Sequence, residues 1–154
     1  AIAETLKMAG VTSSIPLLPS LTLGVLELSP FELTQAYLTL ARLGLGERLH
    51  TLIRVEDTQG QILFEQQPSH DQALDPAQTA VLVGMMKQSL NVGTARTARA
   101  LGLTGPFAGK TGTTSDTKDA WFVGFNRNYL MVVWVGYDDN TVMGLTGASA
   151  ALPI

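Results

Sequence analysis

Residues 108–137 run AGKTGTTSDTKDAWFVGFNRNYLMVVWVGY, from Ala108 to Tyr137. The second half of this stretch is a strand–turn–strand signal: β-branched and aromatic residues fill Ala120 to Phe125 and Tyr129 to Tyr137, and Asn126-Arg127-Asn128 separates them. Leu130-Met131-Val132-Val133-Trp134-Val135 is apolar at every position. An uninterrupted apolar strand suits a sheet covered on both faces rather than one facing water. The expectation is an α+β fold, an antiparallel sheet with helices on both faces.

Working outward, two helices announce their own starts. Ser29-Pro30-Phe31-Glu32 places an N-cap serine, a proline at the first helical position and a glutamate at N3, the pattern of a capping box. Leu33, Ala36, Tyr37 and Leu40 then form one stripe, and Gly44 with Gly46 closes it, which predicts a helix over 30–43. Asp75-Pro76-Ala77-Gln78 repeats the grammar before Val83, Met86 and Leu90, and Gly93 ends it, predicting a helix over 76–91. Between them, Leu49 to Glu56 and Gln61 to Glu65 read as a hairpin around Asp57-Thr58-Gln59-Gly60. A short helix fits before Gly10, and Pro16 and Pro19 mark irregular chain; there is no internal repeat.

The chain has 154 residues, 45% of them apolar and 15% charged, enough for a core and too ordered in composition for disorder. A net charge of −3 without basic clusters argues against nucleic acid as a partner. Cysteine is absent, which removes disulfides, thiolate metal sites and cysteine nucleophiles together. The longest apolar run falls far short of the ~20 residues of a membrane-spanning helix. The opening residues lack the basic and apolar regions of a signal peptide, and a chain cut from a larger parent is the expectation.

Chemistry concentrates at Ala108-Gly109-Lys110-Thr111-Gly112-Thr113-Thr114, a lysine and three hydroxyls around a glycine. A phosphate-binding loop would need glycine where Thr104 stands and a helix beginning at the lysine. A strand follows instead. The segment matches the Lys-Thr-Gly box of serine penicillin-recognising enzymes letter for letter. On an edge strand beside a cleft, Lys110 offers a charge and Thr111 and Thr113 offer hydroxyls to a substrate carboxylate. Gly112 leaves the approach open. The Thr113 backbone N–H can form part of an oxyanion hole, where a donor aimed at developing charge is worth ~3 kcal/mol.

The surroundings strengthen that match. Ala120-Trp121-Phe122-Val123-Gly124 and Trp134-Val135-Gly136-Tyr137-Asp138 resemble the transpeptidase domain of bifunctional class A penicillin-binding proteins, nearest the 1B-like subgroup. So do Leu23-Gly24 with Ser29 to Leu33, Gly93-Thr94-Ala95 before the box, and Gly147-Ala148-Ser149 before the last helix. The resemblance covers nearly the whole chain and implies a partial penicillin-binding transpeptidase or serine β-lactamase-like fold, with residues 1–154 its C-terminal part. It implies peptidoglycan cross-linking through an acyl-serine on D-Ala-D-Ala stem peptides. Lys110, Thr111 and Gly112 would be catalytic, Lys110, Thr111 and Thr113 would hold substrate, and β-lactams would occupy the same site.

No metal or organic cofactor is implied. The parent would carry a glycosyltransferase, an upstream transmembrane anchor at the periplasmic face of the bacterial inner membrane, and links to the cell-wall synthesis machinery. The rival reading is a non-catalytic β-lactam-sensing or scaffold module that keeps the box for binding.

The family's nucleophile sits in S-x-x-K ahead of the box, then S-x-N. Ser115-Asp116-Thr117-Lys118 and Ser89-Leu90-Asn91 fit in letters alone. The first follows the box in a polar loop; the second ends a helix close ahead of Gly93. Serine, lysine and second motif are therefore expected upstream of Ala1, leaving the fragment inactive by itself. His50 and His70 stand apart from other ligand types, which argues against a metal. Asp138-Asp139-Asn140 reads as a solvated turn, Trp121 and Trp134 as core. Arg96 and Arg99 read as solvent-facing near the cleft entrance, with contact to anionic glycan strands as the alternative.

Overall fold

The computed structural model describes residues 1–68 and 71–154. Helix α1 (Ile2–Met8) leads through a 3-10 turn at Pro19–Leu23 to α2 (Pro30–Ala41). Strand β1 (Leu45–Gly46) precedes the hairpin of β2 (Arg54–Glu56) and β3 (Ile62–Glu65), and β4 (Asp71–Gln72) follows. Helix α3 (Pro76–Asn91) and the single turn α4 (Thr97–Ala100) come next. The chain closes with β5 (Ala108–Thr113), β6 (Asp119–Phe125), β7 (Leu130–Gly136) and a π-helical turn at Gly147–Ala151.

Both predicted helix starts are in place. The Ser29 side chain accepts the Glu32 N–H at 3.2 Å and that of Asp75 accepts the Gln78 N–H at 2.8 Å, each satisfying an orphan donor of the first turn. Helix α2 stops at Ala41 rather than residue 43, because Leu43 and Gly44 turn left-handed at φ 54° and 90°. The Glu32 carboxylate serves a longer connection than a capping box. Thr12 and Ser13 donate to it through both backbone N–H groups and both hydroxyls, at 2.8–3.2 Å, fastening the loop after α1 to α2. These bonds, the Ser13 backbone N–H foremost, hold the Glu32 carboxyl at about 2, below its ordinary 4.5.

The hairpin forms as expected but shorter. Arg54 pairs with Glu65 and Val55 with Phe64, a bulge follows Val55, and Gly60 supplies the left-handed turn at φ 82°. Residues 49–53 stay outside the ladder, although Ile53 O still accepts the Gln66 N–H at 2.8 Å just beyond it. The two-residue pairing of β1 with β4, Leu45 against Gln72 and Gly46 against Asp71, had no counterpart in the sequence reading.

Strands β5, β6 and β7 form one antiparallel sheet in sequence order. Register pairs Lys110 with Val123 and Thr111 with Phe122, then Phe122 with Val133 and Val123 with Val132. Alternation along the strands divides the core in two. On one face Val123 and Phe125 pack with Leu33, Tyr37 and Leu40 of α2, the rings of Tyr37 and Phe125 meeting edge to face at 6.4 Å. On the other, Ala120 and Phe122 pack with Ala95, Ala98, Ala151 and Leu152. Helix α3 lies beside β5 and feeds both, through Val83 and Met86 on the first and Leu90 on the second.

Helices therefore cover both faces, as the apolar run predicted. Strand β7 is nevertheless only half-buried, since among the described residues no strand pairs with its outer side. Trp121 and Trp134 are likewise half-buried, tilted together at 6.2 Å, and the Trp134 indole N–H donates to Asp119 Oδ1 at 3.0 Å.

Candidate active site

The Lys-Thr-Gly box occupies β5, the other edge strand of the sheet. The Thr114 N–H donates to Asp119 O at 3.1 Å, which fixes the parity of the ladder. With the two-residue alternation of an antiparallel pair, Gly112 and Lys110 bond inward to β6. The N–H and C=O groups of Thr111 and Thr113 are thereby turned to the open edge. Lys110 is exposed, and its Nζ reaches along that edge to donate to Thr111 O at 2.6 Å.

Two side-chain bonds shape the edge into a cleft. Thr111, 8% exposed, donates its hydroxyl to the Thr94 hydroxyl at 2.9 Å, bringing the turn after α3 against the box. Thr113 Oγ1 accepts the Gly147 N–H at 3.0 Å, bringing in the C-terminal turn. Gly147 sits so close that a Cβ there would press on the backbone oxygens of Trp121 and Gly112. Between these elements lies a cleft of about 700 Å³. Thr94, Thr97, Thr111, Thr113 and Thr146 line it, and among the described residues Arg96 is the one ionisable group in its wall.

Hydroxyl accounting shows what the cleft offers. Thr94 accepts from Thr111 and Thr113 accepts from Gly147, so each retains its own O–H for a ligand. The Thr113 backbone N–H is a third donor on the same edge. Hydroxyl and amide donors around one cavity suit a carboxylate and a developing oxyanion. Among the box residues, Thr111 and Thr113 stand in the cleft wall, whereas strand alternation carries Lys110 to the opposite face and its ammonium returns only to the rim.

The two look-alike motifs take no part in the cleft. Ser115 and Lys118 lie in a turn, Lys118 Nζ being 3.7 Å from Asp116 Oδ2. Ser89 Oγ is buried without a hydrogen-bond partner among the described residues, and Asn91 Oδ1 accepts from Arg99 at 3.4 Å. Arg99 is not solvent-facing, contrary to the sequence reading. It is half-buried and donates at 2.9 Å to the carbonyls of both Leu103 and Gly105, because the loop after α4 folds back over it. Thr94, Thr97 and Thr146 were missed as cleft residues, whereas Arg96 is exposed at the cleft, where the sequence reading set it. Gly93-Thr94-Ala95 was the only signal available, and it marked a turn without assigning a role.

His50 is exposed, with Nδ1 3.0 Å from Arg48 O, and His70 lies outside the described residues. Among the described residues no group of three potential metal-ligating side chains converges, and no helix is long and apolar enough to cross a membrane. The Thr141 hydroxyl, and its backbone N–H donating to Asp139 Oδ1 at 3.0 Å, hold the Asp139 carboxyl below its ordinary pKa and make the acidic stretch a closed turn.

Edge strand, flanking turns and two-sided helical cover are the architecture of a penicillin-binding transpeptidase fold. Residues 8–154 match the family model described as the penicillin binding protein transpeptidase domain, and the chain belongs to that family. It is 38% identical over 154 residues to penicillin-binding protein 1B of Vibrio cholerae, covering 99% of this chain and 20% of that protein. To penicillin-binding protein 1A of Neisseria flavescens it is 37% identical, covering 92% of this chain and 18% of that protein. The fold superposes on the crystal structure of penicillin-binding protein 1A from Haemophilus influenzae with a TM-score of 0.89 at 22% identity, over 99% of this chain and 29% of that one. The class A resemblance and its 1B-like character are thus borne out, and the chain spans about a fifth of the length of these curated relatives.

Proposed function

We propose that this chain forms the Lys-Thr-Gly side of a D,D-transpeptidase cleft that cross-links peptidoglycan, and that an upstream part of the same domain supplies the nucleophile. The observation that carries the reading is the open edge of β5, where the Thr113 N–H and the free Thr113 and Thr94 hydroxyls meet one cavity.

The chemistry is acyl transfer in two steps. A serine Oγ attacks the carbonyl between the last two D-alanines, an ester forms, the C–N bond breaks, and D-alanine leaves with the serine's proton on its amine. An amine of a neighbouring stem then attacks the ester, forming the cross-link and restoring the serine. Thr113 N–H faces the oxyanion of each tetrahedral intermediate, the hydroxyls hold the terminal carboxylate, and Lys110 at the rim adds positive charge. A β-lactam presents a strained amide and a carboxylate to the same groups.

The upstream part also accounts for exposed apolar surface. Val81 and Met85, each 66% exposed, and Val92, 77% exposed, lie along the outer side of α3 and its end. The whole protein, on this reading, carries a glycosyltransferase, is anchored in the inner membrane facing the periplasm, and works with the cell-wall synthesis machinery. The test is labelling of the full-length protein by a fluorescent penicillin, with release of D-alanine from a pentapeptide as the second readout. Labelling with turnover supports the enzyme; labelling without turnover favours a sensor or scaffold.

A further inference from the structure

Among the described residues, Arg96 is the one charged group in the wall of the cleft. Its neighbour Arg99 is committed to two backbone carbonyls and Asn91. Arg96 is exposed, its guanidinium forms no hydrogen bond or ion pair among the described residues, and it shares its cavity with five threonines and no carboxylate. Among the described residues, this cation faces only neutral donors and has no anion to satisfy it. A guanidinium also presents a planar fork matched to a carboxylate.

The terminal carboxylate of a D-alanyl-D-alanine ligand already has Thr113 and Thr94 as donors. A cavity of about 700 Å³ leaves room beyond that group for more of the peptide. We infer that Arg96 binds a second carboxylate, on a side chain of the same peptide, and so makes the cleft selective for a diacid peptide over one in which that side chain is amidated. This inference rests on the transpeptidase reading of the cleft. It adds a specificity-determining residue outside the Lys-Thr-Gly box.

The test uses the full-length protein and three pentapeptides ending in D-alanyl-D-alanine: the free diacid, its side-chain carboxamide and its terminal carboxamide. Equilibrium binding is measured by titration, and acylation by penicillin is followed separately. The wild-type protein should bind the diacid roughly 5- to 10-fold more tightly than the side-chain carboxamide, between the values for an exposed ion pair and a charge-assisted hydrogen bond. In Arg96→Ala that preference should shrink to within about twofold, whereas Arg96→Lys should keep part of it. The preference for the diacid over the terminal carboxamide should persist in both variants.

No preference in the wild-type protein overturns the inference without any variant. A preference that survives Arg96→Ala overturns it as well. Loss in Arg96→Ala of only the terminal-carboxylate preference would mean that Arg96 serves the terminal group, which also contradicts the assignment. Thermal unfolding of each variant separates misfolding from lost recognition. Absence of penicillin acylation in the wild-type protein would instead sink the transpeptidase reading, a different outcome from any of these.

Discussion

Thr113 Oγ1 accepts the Gly147 N–H at 3.0 Å, joining the strand that carries the box to the C-terminal turn 34 residues later. The bond is made where Gly147 lies against the backbone of Trp121 and Gly112. Backbone oxygens held in a β-ladder cannot swing aside as a side chain would. Gly147→Ala should therefore destabilise the protein by about 1–3 kcal/mol, the usual cost of overpacking. Gly84 provides the contrast: it lies within α3 and a Cβ there meets nothing within 4 Å. Gly84→Ala should stabilise the chain by up to about 1 kcal/mol through helix propensity. Urea unfolding of both variants measures the two effects, and equal, small changes would refute the close approach at Gly147.

The Glu32 clamp makes a pH prediction. Its carboxyl titrates at about 2 in the folded protein against an ordinary 4.5. A depressed carboxyl adds stability that is present in full above the unfolded value and is lost as pH falls through the folded one. Stability should thus decline between about pH 4.5 and 2 partly because of Glu32. Glu32→Gln should flatten that decline and loosen the loop at Thr12 and Ser13. Denaturant titrations across the window, with hydrogen exchange at the Ser13 amide, provide the check; an unchanged slope would remove Glu32 from the account.

The chain alone should form no covalent β-lactam adduct, because Ser115 has no helix to bring Lys118 to it and Ser89 lies outside the cleft wall. Intact mass after incubation with penicillin reads this directly. The same preparation should associate as concentration rises, given exposed apolar groups such as Val81, Met85 and Val92. Light scattering over a dilution series should show it. A stoichiometric adduct would place the nucleophile inside this chain, and a strictly monomeric chain would contradict the half-domain assignment.

Legibility followed the range of the interactions. Helix α3 was readable to the residue because Asp75, Pro76 and the apolar stripe all act within the helix itself. The β6–β7 hairpin was readable for the same reason. Thr94 reaches Thr111 across 17 residues, and Thr146 reaches the cleft only because the C-terminal turn is pinned at Thr113, so nothing local announces either. Arg96 and Arg99 are alike in sequence and opposite in fate, one free in the cleft and one bound to carbonyls, a difference made by how the loop at 101–105 folds back. Glu32 read as half of a capping box because its distant partners, Thr12 and Ser13, are invisible to a rule that looks three residues away.

The central claim is that the edge strand holding Lys110 forms the acylation cleft and that the serine of the look-alike motif after it does not react. Second-order acylation rates by penicillin, measured on the full-length protein for Lys110→Ala and Ser115→Ala, test it most directly. Lys110→Ala should slow acylation by about 10- to 100-fold, the worth of a charge-assisted hydrogen bond lost from the rim of the cleft. Ser115→Ala, in an exposed turn, should leave the rate within about twofold, as surface substitutions commonly do. Loss of labelling in Ser115→Ala with full labelling in Lys110→Ala would contradict the account.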